Sequence, residues 1–135
     1  MELSNLHHWD VLAISCIDGR FIKRTVDYVA EKTDAVFDFR TEVGCTKAFI
    51  DCPNDCERVD NVIATSKRLH NIKEVWIFDH IDCGAYGGSK EFENAEAEKA
   101  FHAEQLNKVK KHIESTFPDL KARLFWVDWE KVSEI

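Results

Sequence analysis

The stretch AISCIDGRF, residues 13–21, runs apolar and then places Cys16, Asp18 and Arg20 at alternate positions. A buried strand has no use for a thiol, a carboxylate and a guanidinium side by side at its end. Further along, HIDCG at residues 80–84 adds an imidazole and a second thiol, His80 and Cys83. Two thiolates and one imidazole suit Zn²⁺. Three protein ligands leave a fourth position open, which marks a catalytic rather than a structural zinc. Water bound there loses a proton near neutral pH and becomes a hydroxide nucleophile. Zinc with two thiolates is formally neutral, so it is a weaker Lewis acid than zinc held by three histidines. A hydroxide makes the site formally negative, and Arg20 could offset that charge. Asp18 could accept the hydroxide's hydrogen bond and orient its lone pair, with the planar fork of Arg20 holding the carboxylate in place. Asp18 could equally take the open position itself and shut the site.

Such residues work only if the chain brings them together. WDVLAISCI reads as a buried strand ending at Cys16. FIKRTVDYVAEKT follows with Ile22, Val26 and Val29 at helical spacing, and AVFDFR is a second strand. TEVGCTKAFIDCP reads as loop, broken by Gly44 and Pro53. Asn54 with Glu57 three residues later resembles a capping box opening a helix with Val59, Val62, Ile63 and Leu69 on one face. KEVWIFD is a third strand, and HIDCGAYGG a loop whose Gly84, Gly87 and Gly88 serve a tight backbone path. A polar helix spans about residues 94–117 with Phe101, Val109 and Ile113 as its stripe, Pro118 marks its stop, and ARLFWVDW is a fourth strand. This βαβαβαβ alternation predicts an α/β fold: a parallel sheet of about four strands with helices on both faces. In such sheets ligands sit at the carboxyl ends of the strands, where the strand order reverses. With the order 2-1-3-4, the first and third strands are neighbours there, and Cys16, His80 and Cys83 converge.

The bulk composition narrows the rest. A chain of 135 residues is expected to form a single domain over residues 1–135. That length buries roughly 68% of its unfolded surface, enough for a core without staples. A net charge of −7 repels phosphate backbones and argues against nucleic acid as a partner. No apolar run approaches the roughly 18 residues of a membrane span, and the first ten residues show no secretion signal. The expected compartment is the cytoplasm, where thiols stay reduced, and five cysteines, an odd number, argue against a disulfide framework.

CIDGR at Cys16–Arg20, paired with HIDCG at His80–Gly84, resembles the double signature of the β-class carbonic anhydrases, Cys-x-Asp-x-Arg and His-x-x-Cys-Gly. AVFDFRTEVG sits where that family has a strand entering an Arg-Asn-Ala-Gly loop. LHNIKEVWIFDHIDCG matches the strand that delivers the histidine, and LFWVDWE the last core strand. The likeness covers essentially the whole chain, in the manner of the short prokaryotic branch. It implies a zinc enzyme converting CO2 and water to bicarbonate and a proton, with one Zn²⁺ per chain on Cys16, His80 and Cys83. It implies Asp18 and Arg20 as the catalytic dyad. It also implies a homodimer or a higher multiple of dimers, because the family shapes its pocket across a subunit interface. Departures bear on efficiency and substrate. Gly19 stands where Ser or Ala is usual. Thr41, Glu42 and Val43 interrupt the Arg-Asn-Ala-Gly loop although Arg40 and Gly44 survive, and the pocket glutamine of plant-type members has no counterpart. Related folds hydrolyse carbon disulfide or carbonyl sulfide, and the ligands alone do not separate these substrates. A non-catalytic zinc or redox-responsive protein on the same scaffold is the alternative class.

Other polar residues have plainer expectations. Asp79 and Asp82 flank His80 and are expected to be solvated, while Tyr86 is expected to pack. Cys45, Cys52 and Cys56 lack a well-matched fourth ligand and read as ordinary thiols. His7 and His8 read as an exposed pair, and an exposed histidine such as His102 could pass protons to buffer.

Overall fold

The computed structural model describes residues 2–51 and 54–135. Four parallel strands are present as expected: β1 (Val11–Cys16), β2 (Asp38–Glu42), β3 (Glu74–His80) and β4 (Lys121–Val127). A fifth strand, β5 (Val132–Glu134), adds antiparallel to β4, so the order is β2-β1-β3-β4-β5. The sequence pattern missed β5 because it is three residues long and carries no apolar alternation. It is set instead by a turn in which Asp128 Oδ1 accepts the N–H groups of Glu130 and Lys131, each at 2.8 Å.

All six residues of β1 are buried, as the apolar run Val11–Ile14 requires of a strand covered on both faces, with Ser15 the one polar residue among them. One face carries Leu12 and Ile14 of β1, Val75 and Ile77 of β3, and Ala122 and Leu124 of β4. Against it pack α3 (Asn54–His70), through Val59 and Ile63, and α4 (Ala95–Thr116), through Leu106, Val109 and Ile113. The other face carries Val11, Ala13, Trp76, Phe78, Phe125 and Val127, covered by Phe21 and Val29 of α1 (Gly19–Lys32).

Several expected boundaries and faces move. Helix α1 buries Phe21, Thr25 and Val29, which fall one above the other at four-residue spacing, rather than Ile22 and Val26. Strand β2 begins later than AVFDFR and runs on to Glu42, because its register with β1 carries to Cys16↔Glu42. The segment read as loop contains a short helix, α2 (Thr46–Ile50). Leu69 ends α3 half-exposed instead of joining its buried face. The capping box at Asn54 borders Cys52 and Pro53, which lie outside the described residues, and Asn54 itself is already helical. Helix α4 stops at Thr116, two residues before Pro118.

Candidate metal centre

Strands β1 and β3 are direct neighbours, paired from Val11↔Glu74 to Ile14↔Ile77, so their carboxyl ends deliver Cys16 and His80 to one place. The chain then turns through Asp82, in a left-handed conformation at φ 58°, and returns Cys83 to the same spot. One donor atom each from Cys16, His80 and Cys83 lies within 4.8 Å of the others. All three residues are buried, at 8%, 3% and 3% exposure.

The donor chemistry fits a metal ion. His80 Nδ1 lies 2.7 Å from the carbonyl of Ile81, so that nitrogen carries the proton and donates it. The lone pair is left on Nε2, which is buried and has no hydrogen-bond partner. His102 Nε2 is unpartnered too, but its ring sits among those of Tyr86, Phe92, Phe101 and Trp126, and among the described residues it joins no group of three possible metal ligands. The thiols are polarised in opposite directions. A hydrogen bond from Cys83 lowers Cys16 to about 4, helped by His80 and by the backbone N–H groups of Asp18 and Gly44 against the effect of burial. Cys83, as the donor to Cys16, is raised by that bond and by burial. For His80, burial disfavours the charged form, yet the neighbouring Cys16 thiolate and the bond to the Ile81 carbonyl outweigh it and the net shift is upward. Cys16 is thus the acceptor and Cys83 the donor of the pair.

Asp18 and Arg20 stand at the rim. Asp18 is the N-cap of α1, and its Oδ1 accepts the Arg20 backbone N–H at 3.0 Å. The Arg20 guanidinium grips the same carboxylate through Nε at 3.0 Å and Nη2 at 2.7 Å. That side-chain pairing holds the Asp18 carboxyl at about 2. Arg20 then reaches across, donating from Nη1 to Asp82 Oδ2 and from Nη2 to the Asp82 carbonyl, both at 3.1 Å. One guanidinium therefore ties the first motif to the second. Asp18 Oδ2 lies 3.9 Å from His80 Nε2.

Three neighbours of the site differ from expectation. Asp79 is not solvated but 2% exposed. Adjacent residues of a strand point to opposite faces, so Asp79 faces α2 and α4 while His80 faces α1. It accepts from Thr46 N at 3.2 Å, Thr46 Oγ1 at 2.7 Å and His102 Nδ1 at 2.6 Å. His102 is accordingly fully buried and unsuited to passing protons to buffer. Tyr86 packs against Phe101 as expected, and its hydroxyl also lies 2.7 Å from Thr46 Oγ1. Because Thr46 donates to Asp79, Tyr86 is the donor. Asp82 keeps a partly exposed side chain, but it is held by Arg20 and by the Ser89 N–H at 2.8 Å.

Glu98 lies in neither motif, and the sequence reading above does not include it. It is 1% exposed on α4, and its carboxylate accepts the Asp82 N–H at 2.8 Å and the Ser89 hydroxyl at 2.9 Å. It thereby fixes the loop between His80 and Cys83. The signal was available: Glu98, His102 and Gln105 continue upward, at helical spacing, the buried line of Val109 and Ile113. Arg40, retained from the family's loop, pairs with the buried Glu42 at 3.0 Å, and Glu42 also meets Arg58. Cys45 is an ordinary buried thiol donating to the Ile14 carbonyl at 3.3 Å. Cys52 lies outside the described residues. Cys56 contacts His112 on α4 and so is not merely a packed thiol. His7 and His8 are exposed as expected.

Fold and site together define an α/β protein with a Cys₂His cluster at the switch point of its sheet. The chain belongs to the family described as "putative carbonic anhydrase", whose model matches residues 7–135. Two similar proteins come from Rickettsia. The uncharacterized protein RC0076 of Rickettsia conorii is 32% identical, covering 98% of this chain and 75% of its own. An uncharacterized protein of Rickettsia bellii is 31% identical, covering 98% and 85%. Among solved structures, the β-carbonic anhydrase CafA of the fungus Aspergillus fumigatus superposes with a TM-score of 0.58 at 17% identity, covering 98% of this chain and 78% of that one. At that identity the likeness establishes the fold. No helix among the described residues is long and apolar enough to cross a membrane.

Proposed function

We propose that this chain is a zinc-dependent carbonic anhydrase that hydrates CO2 reversibly, CO2 + H2O giving HCO3⁻ + H⁺. The observation that carries the reading is the convergence of Cys16, His80 and Cys83 donors within 4.8 Å beside a carboxylate gripped by Arg20. Cys16 and Cys83 as thiolates and His80 through Nε2 would hold one Zn²⁺. When bound, zinc would supply Lewis acidity and bring the pKa of water down toward neutrality. Asp18 is the hydrogen-bond acceptor on the open side of the cluster, and it would orient the attacking water while Arg20 keeps the carboxylate ionised and in place. Phe21 stacks on the His80 ring at 4.5 Å between centroids and keeps the imidazole from turning.

Assembly as a dimer, or as a multiple of dimers, belongs to the same reading. Ile17 and Val43 follow the paired residues Cys16 and Glu42 at the carboxyl edge of the sheet, and they are 55% and 61% exposed. A cytoplasmic setting fits ligands that must stay reduced.

The test is CO2 hydration by the zinc-loaded protein beside Cys16→Ser. The expected result is zinc-dependent turnover in the wild type, and loss of both turnover and this zinc in the variant. Hydrolysis of carbon disulfide or carbonyl sulfide without CO2 hydration would reassign the substrate. No turnover on any of the three, with zinc bound, would overturn the enzymatic reading.

A further inference from the structure

On the far side of α3 from β2, a second set of metal-ligating groups comes together where α3 meets α4. Cys56 and Asp60 stand one turn apart on α3, at the i,i+4 spacing that places two side chains on one face. His112 of α4 reaches across to them. Its Nε2 lies 3.4 Å from Cys56 Sγ and 2.9 Å from each oxygen of Asp60. One donor atom from each residue falls within 4.8 Å of the others.

We propose that Cys56, Asp60 and His112 form a second binding site for Zn²⁺, independent of the Cys16–His80–Cys83 centre. Sulfur and carboxylate converge on a single ring nitrogen. A cation among the three would be met by all of them at once. Two of the three donor–donor spacings are close to what zinc needs. Bonds of about 2.3 Å to sulfur and 2.0–2.2 Å to nitrogen and oxygen imply tetrahedral edges of roughly 3.4–3.6 Å. The sulfur–nitrogen edge already has that length, and the nitrogen–oxygen edge must open by about half an ångström. A thiolate, a carboxylate and a neutral imidazole carry two negative charges, which match one divalent cation. The mixed sulfur, nitrogen and oxygen set suits zinc over calcium or magnesium.

The surroundings fit a structural clip with a solvent-facing side. Cys56 is buried, while the side chains of Asp60 and His112 are 21% and 33% exposed, which leaves a route for the ion and room for a water as fourth ligand. The Phe49 ring meets His112 edge-on at 6.2 Å and forms an apolar wall. A cation here would fasten α3 to α4 on the face of the sheet opposite α1.

Zinc content per chain, measured after equilibration with a zinc buffer and gel filtration, tests this directly. The wild type should carry two zinc ions, and Cys16→Ser and His112→Gln one each. The double variant should carry none. His112→Gln keeps a group able to bond Asp60, so the helices stay packed, and circular dichroism monitors the fold. Replacing zinc by Co²⁺ in the Cys16→Ser background should give thiolate-to-metal absorption that disappears on adding Cys56→Ser. A wild type with one zinc that His112→Gln leaves in place would overturn the proposal. A Cys16→Ser variant that loses no zinc while His112→Gln loses one would instead overturn the first centre and leave this one standing.

Discussion

Asp18 has two separable tasks, and an amide separates them. As N-cap it needs only a side-chain oxygen to accept the Arg20 N–H, and asparagine serves there as well as aspartate. As the acceptor beside the cluster it needs charge. Asp18→Asn should therefore keep fold and zinc while CO2 hydration falls on the order of 10- to 100-fold, the usual loss for a group that orients a metal site; wild-type turnover in a stopped-flow assay would remove Asp18 from the mechanism. The same carboxylate predicts a pH effect. Its folded pKa of about 2 lies below the ordinary 3.8, so its stabilisation is fully present above about pH 4. It fades as the pH falls through about 2. The stability gap between wild type and Asp18→Asn in urea titrations should shrink across that window, and a gap constant from pH 5 to pH 2 would contradict the pairing. The two glycines beside the site divide in the same residue-level way. A Cβ on Gly19 meets nothing within 4 Å, so Gly19→Ala should raise stability by about 0.5–1 kcal/mol with zinc retained. At Gly44, with φ +74°, a Cβ would stand 2.8 Å from the Ala85 Cβ, just past Cys83. Gly44→Ala should cost about 1–3 kcal/mol in strain alone and weaken zinc retention, both readable in one thermal and one chelator titration. Gly19 thus leaves room for the usual Ser or Ala, while the conformation of Gly44 requires glycine.

At the scale of elements, what the sequence disclosed follows from how strongly each element is patterned. Strands β1, β3 and β4 announce themselves because burial on both faces demands apolar runs, and a 2-1-3-4 order by itself puts Cys16 and His80 together. Strand β5 and helix α2 are too short to carry a period. Strand alternation also shows that Asp79 and His80 must part company, yet the type of residue receiving Asp79 depends on Thr46 and His102, which are far apart in sequence. Helix α4 was the harder case. Its buried line begins with Glu98, His102 and Gln105, and polar residues on a core stripe read as solvent-facing until partners are known. Those partners give a test. Glu98→Ala would leave the Asp82 N–H and the Ser89 hydroxyl without their acceptor. A fully buried donor so stranded costs about 1–3 kcal/mol, and these two half-buried ones together cost about as much as one. The variant should lose stability in that range and, with the His80–Cys83 loop released, exchange zinc faster than wild type against a chelator; an unchanged release rate would mean that Arg20 alone holds the loop.

The whole molecule presents its chemistry at an edge rather than in a cleft. The rim of the centre is exposed, and the apolar residues around it, Ile17, Val43 and Trp129, lie open at 55%, 61% and 52%. Trp129 lies over the Arg20 guanidinium at 5.2 Å and is tilted against Phe21 at 5.3 Å, and Phe21 itself lies 5.4 Å from that guanidinium, so two rings border the ion pair. An acidic chain with net charge −7 would repel its own copy unless the contact were apolar or salt-bridged, and this rim is where apolar surface gathers next to Arg20. A second copy seated there would exclude water from Asp18 and Arg20, raising the strength of their pairing, and would close the site from the side that α1 leaves open. Light scattering at micromolar concentration should therefore give twice the 15.6 kDa chain mass or a multiple of it. Val43→Glu, which puts a charge on that surface without replacing a metal donor, should shift the mass toward one chain. It should also depress CO2 hydration while leaving the zinc on Cys16, His80 and Cys83 in place. A wild type that runs as a single chain yet turns over CO2 would show that one copy encloses its own site and that the exposed rim has another use.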